Sequence, residues 1–379
     1  MSTINRRELL LSIPAVALAP RLFGQAAKPP IPLKGLNYFV LSVSDMKRSI
    51  DFYQGLFGMP IQARQGQNVL MRIGKGPQFM MLQPAGANPP RIVPQLGLKV
   101  DSFNADRIVG MLEQHGVTRA AAADPGLTGG AMKVRVSRRG PENGGAAGGT
   151  PELFLGDPDD FVLQIQDSSY AGGAGPLGSD VKVEESPKKG LIALSDMSHF
   201  TIGASDANRT QTFYQEVFGT PVRSRQATTP GLGIGPGVMF LMFIGGGGGG
   251  ARGARGRGAA PGAPGAPGAP GAPGAPAAPA AAAPAPPPGP RANVNHVSMN
   301  MENFKPDEVM KTLATFGIKE GAQNAGPLSS YVTLRMPDRG GAEGGTPELY
   351  FRDPDGLLLQ LQDVKYCGGG GFLGDVCLG

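Results

Sequence analysis

Gly345-Thr-Pro-Glu-Leu-Tyr-Phe-Arg-Asp-Pro-Asp-Gly-Leu-Leu-Leu-Gln-Leu-Gln-Asp363 is matched without gaps at 12 of 19 positions by the stretch from Gly149 to Asp167. Both copies keep the Asp-Pro-Asp run and the Leu-Gln-x-Gln-Asp ending. Each copy predicts two strands joined by a tight turn. Pro354 presets φ at the first central position, and Gly356 accepts the turn's exit. Beyond the turn the pattern has period two: Leu357, Leu359 and Leu361 point one way, Leu358, Gln360 and Gln362 the other. Leucines opposite amides imply a sheet with one face in a core and the other lining a polar cavity.

Working outward, the repeat in a 379-residue chain implies two copies of one kind of domain. Module one spans 36–178, a linker 179–194, and module two 195–379. In module one, Asn37 to Asp45 reads as a strand and Met46 to Phe57 as an amphipathic helix stopped at Gly58. One or two strands fall within Val69 to Leu82. Gln95 to Val100 is a further strand, and Asn104 to His115 a second helix. Lys133 to Val136 then leads into the hairpin. Module two repeats the order: strand Ser198 to Asp206, helical Phe213-Tyr-Gln-Glu-Val-Phe-Gly219 matching Phe52-Tyr-Gln-Gly-Leu-Phe-Gly58, strand Val238 to Ile244, strand Asn295 to Met301, and helix Lys305 to Phe316. Each module is thus a doubled βαβββ unit of α+β class.

A Gly/Ala/Pro segment, 245–290, interrupts module two. Its composition cannot bury enough apolar surface to offset the entropy of ordering, so a disordered or polyproline-like insert is expected. The formal charge of +5 is concentrated outside the modules, in the leader and in this insert (Arg252, Arg255, Arg257). The remaining neutral body lacks the basic face that a phosphate backbone requires, which argues against nucleic acid as a partner. Arg6-Arg7 ahead of the apolar run Leu9 to Ala19, with Gly24-Gln25-Ala26 as a cleavage region, reads as a leader over 1–26 of twin-arginine type. The expectation is an exported, periplasmic or extracellular protein without a stable membrane anchor. Cys367 and Cys377 are the only cysteines. In an oxidising compartment a disulfide between them would add about 2–3 kcal/mol in the chain-entropy model. A two-cysteine metal site is the rival, with no histidine nearby. Ala171 and Val181 stand at the matching places of module one.

Three histidines are present. His115 ends a helix, where a cation suits the helix dipole. His199 opens the polar alternation His199, Thr201, Gly203, and His296 opens His296, Ser298, Asn300. Glu152 and Glu348, at the starts of the repeated hairpins, read as solvated strand ends. Arg352 reads equally as a contact for a substrate carboxylate or as a surface ion pair.

His-Phe-Thr-Ile-Gly-Ala-Ser-Asp206, the Phe-Tyr-Gln-Glu-Val-Phe-Gly219 run, the His296 strand and Leu-Tyr-Phe-Arg-Asp-Pro-Asp-Gly356 together resemble the vicinal oxygen chelate superfamily. That superfamily includes glyoxalase I, extradiol dioxygenases, fosfomycin-resistance enzymes and bleomycin-binding proteins. The resemblance implies paired βαβββ units curled into open barrels, each able to hold a divalent metal on its concave face. Carried over by position, the ligands would be His199, His296 and Gln360, with Fe2+, Mn2+, Ni2+ or Zn2+ as the ion. Module one has Tyr38, Gln95 and Gln164 there. The family usually has Glu where Gln360 stands, so the site would be one unit more positive and would favour an anionic chelating substrate.

The glyoxalase I arrangement, drawing on both modules, would use Tyr38, Gln164, His199 and Gln360, a poor set. The extradiol arrangement fits better, and Tyr350 matches its active-site tyrosine, although that pattern's additional acid–base histidine is missing. The implied function is a metal-dependent lyase or ring-cleaving dioxygenase acting on a small oxygen-chelating molecule. The alternatives are a metal-free small-molecule binder of the bleomycin-resistance kind and an exported structural protein that makes contacts through its insert.

Overall fold

The computed structural model describes residues 31–245 and 292–378. The leader, and the insert apart from Gly245, lie outside the described residues. Module one runs β1 (Leu33–Val43), α1 (Met46–Phe57), β2 (Ile61–Gln65), β3 (Asn68–Arg72), β4 (Phe79–Pro84), β5 (Arg91–Val100), α2 (Ala105–Glu113), β6 (Thr118–Arg119), β7 (Lys133–Arg139), β8 (Thr150–Gly156) and β9 (Val162–Asp167). Module two repeats it as β10 (Leu194–Ala204), α3 (Ala207–Phe218), β11 (Val222–Gln226), β12 (Thr229–Gly233), β13 (Phe240–Gly245), β14 (Asn293–Met301), α4 (Pro306–Thr315), β15 (Lys319–Glu320), β16 (Ser329–Arg335), β17 (Thr346–Arg352) and β18 (Leu358–Asp363).

Each module is one nine-stranded sheet, curled but not closed, in the order β2-β3-β4-β1-β5-β9-β8-β7-β6 and its module-two equivalent. The first strands of the two βαβββ units, β1 with β5 and β10 with β14, pair antiparallel at the centre. The closing strands β9 and β18 lie parallel to β5 and β14. The doubled βαβββ architecture expected from the sequence is present in both halves. The short strands β2, β6, β11, β12 and β15 were not legible, because runs such as Val222-Arg-Ser-Arg-Gln226 are too short and polar to show a period.

The leucine faces of the two sheets turn inward. Phe39 and Phe200 meet edge to face at 6.2 Å, and one apolar core runs through both modules. The helices lie in this interface. Phe52 of α1 packs on Phe316, and Phe57 on Phe351, both of module two. The amide faces look the other way, and they too are buried: Gln164, Gln166, Gln360 and Gln362 are almost wholly enclosed. The sequence reading placed these amides along a polar cavity; at these positions the structure buries them.

The Asp-Pro-Asp turns join the modules reciprocally. Asp353 accepts the backbone N–H groups of Asp355 (2.9 Å) and Leu357 (2.8 Å), which shapes its own turn. Its other oxygen accepts the hydroxyl of Tyr53 on α1 at 2.9 Å. Asp355 receives the N–H and hydroxyl of Ser44, at 3.0 and 2.6 Å, and pairs with Arg48. Asp157 and Asp159 repeat this in the opposite direction. Asp157 takes the hydroxyl of Tyr214 at 3.3 Å, and Asp159 takes Ser205, Thr210 and Arg209. Each module's hairpin turn thus caps the first helix of the other. Gly356 takes a left-handed φ of 81° at the turn's exit, and Asp160 occupies the same region at 61°.

Burial pushes the Asp157 carboxyl up to about 7 and the Asp353 carboxyl up to about 6, against the backbone and tyrosine hydrogen bonds that lower them. An acid whose pKa is raised by folding stabilises the native state fully below its unfolded value, near 4. That contribution is lost as pH rises through the folded value. Thermal unfolding from pH 5 to pH 8 should therefore show a Tm component that falls with rising pH. The Asp157→Asn, Asp353→Asn double variant should flatten it, and identical pH slopes in both proteins would refute the assignment. Asp353→Ala, which strands Tyr53 and two backbone N–H groups, should cost about 2–4 kcal/mol in urea unfolding.

Candidate functional site

The concave face of module two brings the sequence-identified histidines together. His199 on β10 and His296 on β14 are 3% and 7% exposed, and their Nε2 atoms face each other at 3.2 Å. The rings are perpendicular. His199 packs against Phe240 (4.4 Å) and Tyr366 (5.4 Å), which also contact each other at 6.1 Å. His296 meets the edge of Tyr350 at 5.3 Å. Both rings are buried and packed against aromatic neighbours, which restricts their rotamers.

The outer nitrogens have partners that the sequence did not reveal. His296 Nδ1 lies 2.8 Å from Asn295 Oδ1, and His199 Nδ1 lies 3.1 Å from Ser198 Oγ. An amide oxygen only accepts, so His296 carries its proton on Nδ1 and turns a bare Nε2 lone pair inward. In the metal-free protein His199 donates its Nε2–H to that lone pair, and Ser198 donates to His199 Nδ1. Ser198 and Asn295 each precede a histidine, and strict alternation would send them to the opposite face. The β10–β14 register slips between Met197 and His199 and again between Thr201 and Ile202, and these irregularities break the alternation. Period-two reading could not foresee that.

Gln360 on β18 is wholly buried, opposite Tyr350 on β17 and beside Ser298 on β14. Burial lowers the basicity of both histidines: His296 falls to about 4 and His199 lies well below its ordinary value, the latter also through His296 and Arg335. Gln360 is near enough to both rings to oppose that effect slightly, yet neither its amide oxygen nor its nitrogen has a hydrogen-bond partner. Both imidazoles are therefore neutral at pH 7 and able to act as donors to a cation.

The two imidazole nitrogens are spaced as a shared divalent ion would require. Two nitrogens each about 2.1 Å from one ion, at bond angles of about 90–110°, stand roughly 3.0–3.4 Å apart, and the pair here is 3.2 Å apart. A sealed amide oxygen without a donor is costly, and a bound cation would satisfy it. Among the described residues no group of three His, Cys, Asp or Glu side chains converges, so a metal here would rely on the neutral Gln360.

A cleft of 830 Å³ opens beside His296, lined among others by Thr201, Tyr331, Arg339, Glu348, Tyr350 and Arg352. Tyr331 and Tyr350 stack at 5.1 Å. Tyr350, the sequence-identified catalytic candidate, lies in the cleft with its hydroxyl 3.4 Å from Glu348 Oε2. Burial, then the Glu348 charge, raises its pKa, so it remains a protonated donor. Glu348 is not the solvated strand end expected from the sequence. It is buried, accepting from Arg335 Nε at 2.8 Å and the Tyr366 hydroxyl at 3.0 Å, and Arg335 is itself 0% exposed. Glu152 has the same partners in Arg139 and Tyr170. Two strands of apparent surface polarity are closed off by the glycine-rich tails that follow β9 and β18, which hydrogen-bond to these arginines. In module two that tail carries the Cys367–Cys377 disulfide, with its Cα atoms 6.1 Å apart. Among the described residues Arg352 forms no ion pair; it donates to the carbonyls of Gly356 and Gln323.

Module one shows the same frame shut. Tyr38, at the position of His199, donates to Gln164 Oε1 at 2.6 Å and accepts from Gln95 Nε2 at 2.7 Å. Its ring lies flat on Phe79 at 4.9 Å. A Cβ on Gly97 would come within 2.3 Å of the Tyr38 ring, so this glycine makes room for the phenol.

This architecture defines a two-module protein of vicinal oxygen chelate fold. Residues 35–134, within module one, match the model of the Glyoxalase/Bleomycin resistance protein/Dioxygenase superfamily. No curated protein sequence matches the chain. Among solved structures it is similar to a catechol 2,3-dioxygenase (13% identity, TM-score 0.50, covering 90% of this chain and 88% of that one). It is also similar to the Mn(II)-bound glyoxalase from Novosphingobium aromaticivorans (15%, 0.51, 87% and 82%). An extradiol ring-cleaving dioxygenase from B. fuscum is a third (14%, 0.52, 92% and 75%). At these identities the likeness is one of fold, and it supports the family resemblance carried by the sequence motifs.

Gly97→Ala should destabilise module one by about 2–4 kcal/mol, since the phenol must leave its site and strand both glutamines. Combining it with Tyr38→Ala should recover part of that loss. Strictly additive losses in urea unfolding would refute the steric account.

Proposed function

We propose that the chain is an exported, divalent-metal-dependent enzyme of the glyoxalase/dioxygenase kind. Its substrate would be a small molecule presenting neighbouring oxygen atoms, and its site the concave face of module two. The observation that carries this reading is the pair of inward Nε2 atoms 3.2 Å apart beside an unpartnered buried amide. His199, His296 and Gln360 would hold the ion. When bound, it would supply Lewis-acid stabilisation of negative charge developing on substrate oxygens. Around it, Asn295 and Ser198 fix the orientation of the imidazoles. Tyr350 offers its hydroxyl proton to a substrate oxygen in the cleft, and Glu348 Oε2 lies next to that hydroxyl. Fe2+, Mn2+, Ni2+ and Zn2+ all suit two imidazoles and an amide oxygen.

Export is part of the same proposal. It is supported by the twin-arginine leader pattern over 1–26 and by the disulfide, which suits an oxidising compartment. Among the described residues no helix is long and apolar enough to cross a membrane.

A metal-free binding protein is the second reading. It is favoured by the uncharged third ligand and by the spacing of the two imidazoles, which equally suits a shared proton. Metal analysis of purified full-length protein separates the two. The first reading expects close to one divalent ion per chain, lost in His199→Ala and in His296→Ala. Gln360→Glu should tighten that ion at least about tenfold by adding a negative charge. Equal, negligible metal in wild type and variants, with ligand binding indifferent to chelator, would leave the second reading in place.

A further inference from the structure

The cleft beside His296 carries positive charge that nothing among the described residues neutralises. Its one lining carboxylate, Glu348, is matched to Arg335 beneath it. Its two lining cations, Arg339 and Arg352, form no ion pair among the described residues. Arg352 is fixed in place by two backbone carbonyls, each 3.0 Å away, which orient its plane without meeting its charge. A guanidinium has five N–H donors, so three remain. Arg339 stands at the exposed rim, at the end of the short 3-10 turn Pro337–Arg339.

Module one supplies an internal control. Its frame is the same, including the buried Arg139–Glu152 pair, but Gly156 replaces Arg352 at the end of β8 and Asn143 replaces Arg339 at the end of its 3-10 turn. Arg352 and Arg339 themselves therefore accompany the imidazole pair and are absent from the module in which Tyr38 fills the site, where Arg135, at the position of cleft-lining Tyr331, donates to the Ala121 and Asp124 carbonyls. Gln360 adds to the imbalance, because a neutral third ligand leaves the full charge of any bound divalent ion to be met from the cleft.

Resting on the metal-site reading above, we propose that the substrate carries a carboxylate in addition to the oxygens presented to the imidazoles, and that Arg352 and Arg339 bind it. Arg352 provides the fixed contact and Arg339 the rim contact. Tyr331, stacked on Tyr350 and close to Arg352, walls the space between the carboxylate and the imidazoles.

Calorimetric titration of the full-length protein with three probes tests this: catechol, 3,4-dihydroxybenzoate and benzoate. The acid diol should bind at least tenfold more tightly than catechol. Arg352→Met should bring that ratio close to one, and Arg339→Gln should lower it by a smaller factor. Benzoate should bind metal-stripped protein weakly, in a salt-sensitive way, and should lose that binding in Arg352→Met. This arm needs no metal, so it stands or falls independently of the imidazoles. His296→Ala should abolish the advantage of 3,4-dihydroxybenzoate over benzoate while leaving benzoate itself unchanged. If that advantage persists in His296→Ala, the metal reading fails and the carboxylate site stands. Equal affinity for catechol and the acid diol in wild type, or an acid preference that survives Arg352→Met in a natively folded variant, overturns the proposal. Absence of binding by both acids also overturns it.

Discussion

The carboxylates of Asp157 and Asp353 each do two things at once, and the arrangement of the molecule follows. One oxygen gathers backbone N–H groups and shapes the hairpin turn; the other accepts a tyrosine hydroxyl from the first helix of the opposite module. A buried carboxylate is tolerated only with such partners. Satisfying it requires the two modules to dock in one orientation, so that the apolar face of each sheet meets the other and the concave faces look outward. Helices α1 and α3 are held by their own N-terminal Asp45 and Asp206 and, across the interface, by the partner turn.

With the inner faces committed to the core, chemistry is left to the outer ones, and the two modules use them differently. In module one the Tyr38 hydroxyl donates to Gln164 and accepts from Gln95, joining the two strands through one closed hydrogen-bonded bridge. In module two the same strand positions carry two smaller rings whose Nε2 atoms converge, with an amide that has no hydrogen-bond partner among the described residues. The exchange of Tyr38 for His199, and of Gln95 for His296, replaces a closed hydrogen-bonded bridge with the candidate site. The buried Arg335–Glu348 pair does not distinguish the modules, since Arg139–Glu152 repeats it. Its part is to fasten the tail that lays Tyr366 against His199.

Much of this was legible in the sequence because it depends on period and repetition. The alternation after Asp353 gave β18, the matched helices gave α1 and α3, and the opening histidines of two corresponding strands gave residues that do meet. What escaped notice lies where the chain departs from regularity. Ser198 and Asn295 support the histidines from register slips, which alternation cannot register. Glu348 looked solvated because the arginine and tyrosine that enclose it are 13 and 18 residues away in sequence. The Asp-Pro-Asp run was readable as a turn, but its bond to a helix 300 residues distant in the chain was not.

The cross-docking of turns and helices ties the two halves' histories together. A change in either turn is felt first by a helix of the other half, so neither copy can alter its docking surface alone. The outward strand positions answer to no such partner. A duplicated domain built this way is bound at its seam yet free on its working faces, which lets one half retire into scaffold while the other keeps or acquires a chemistry.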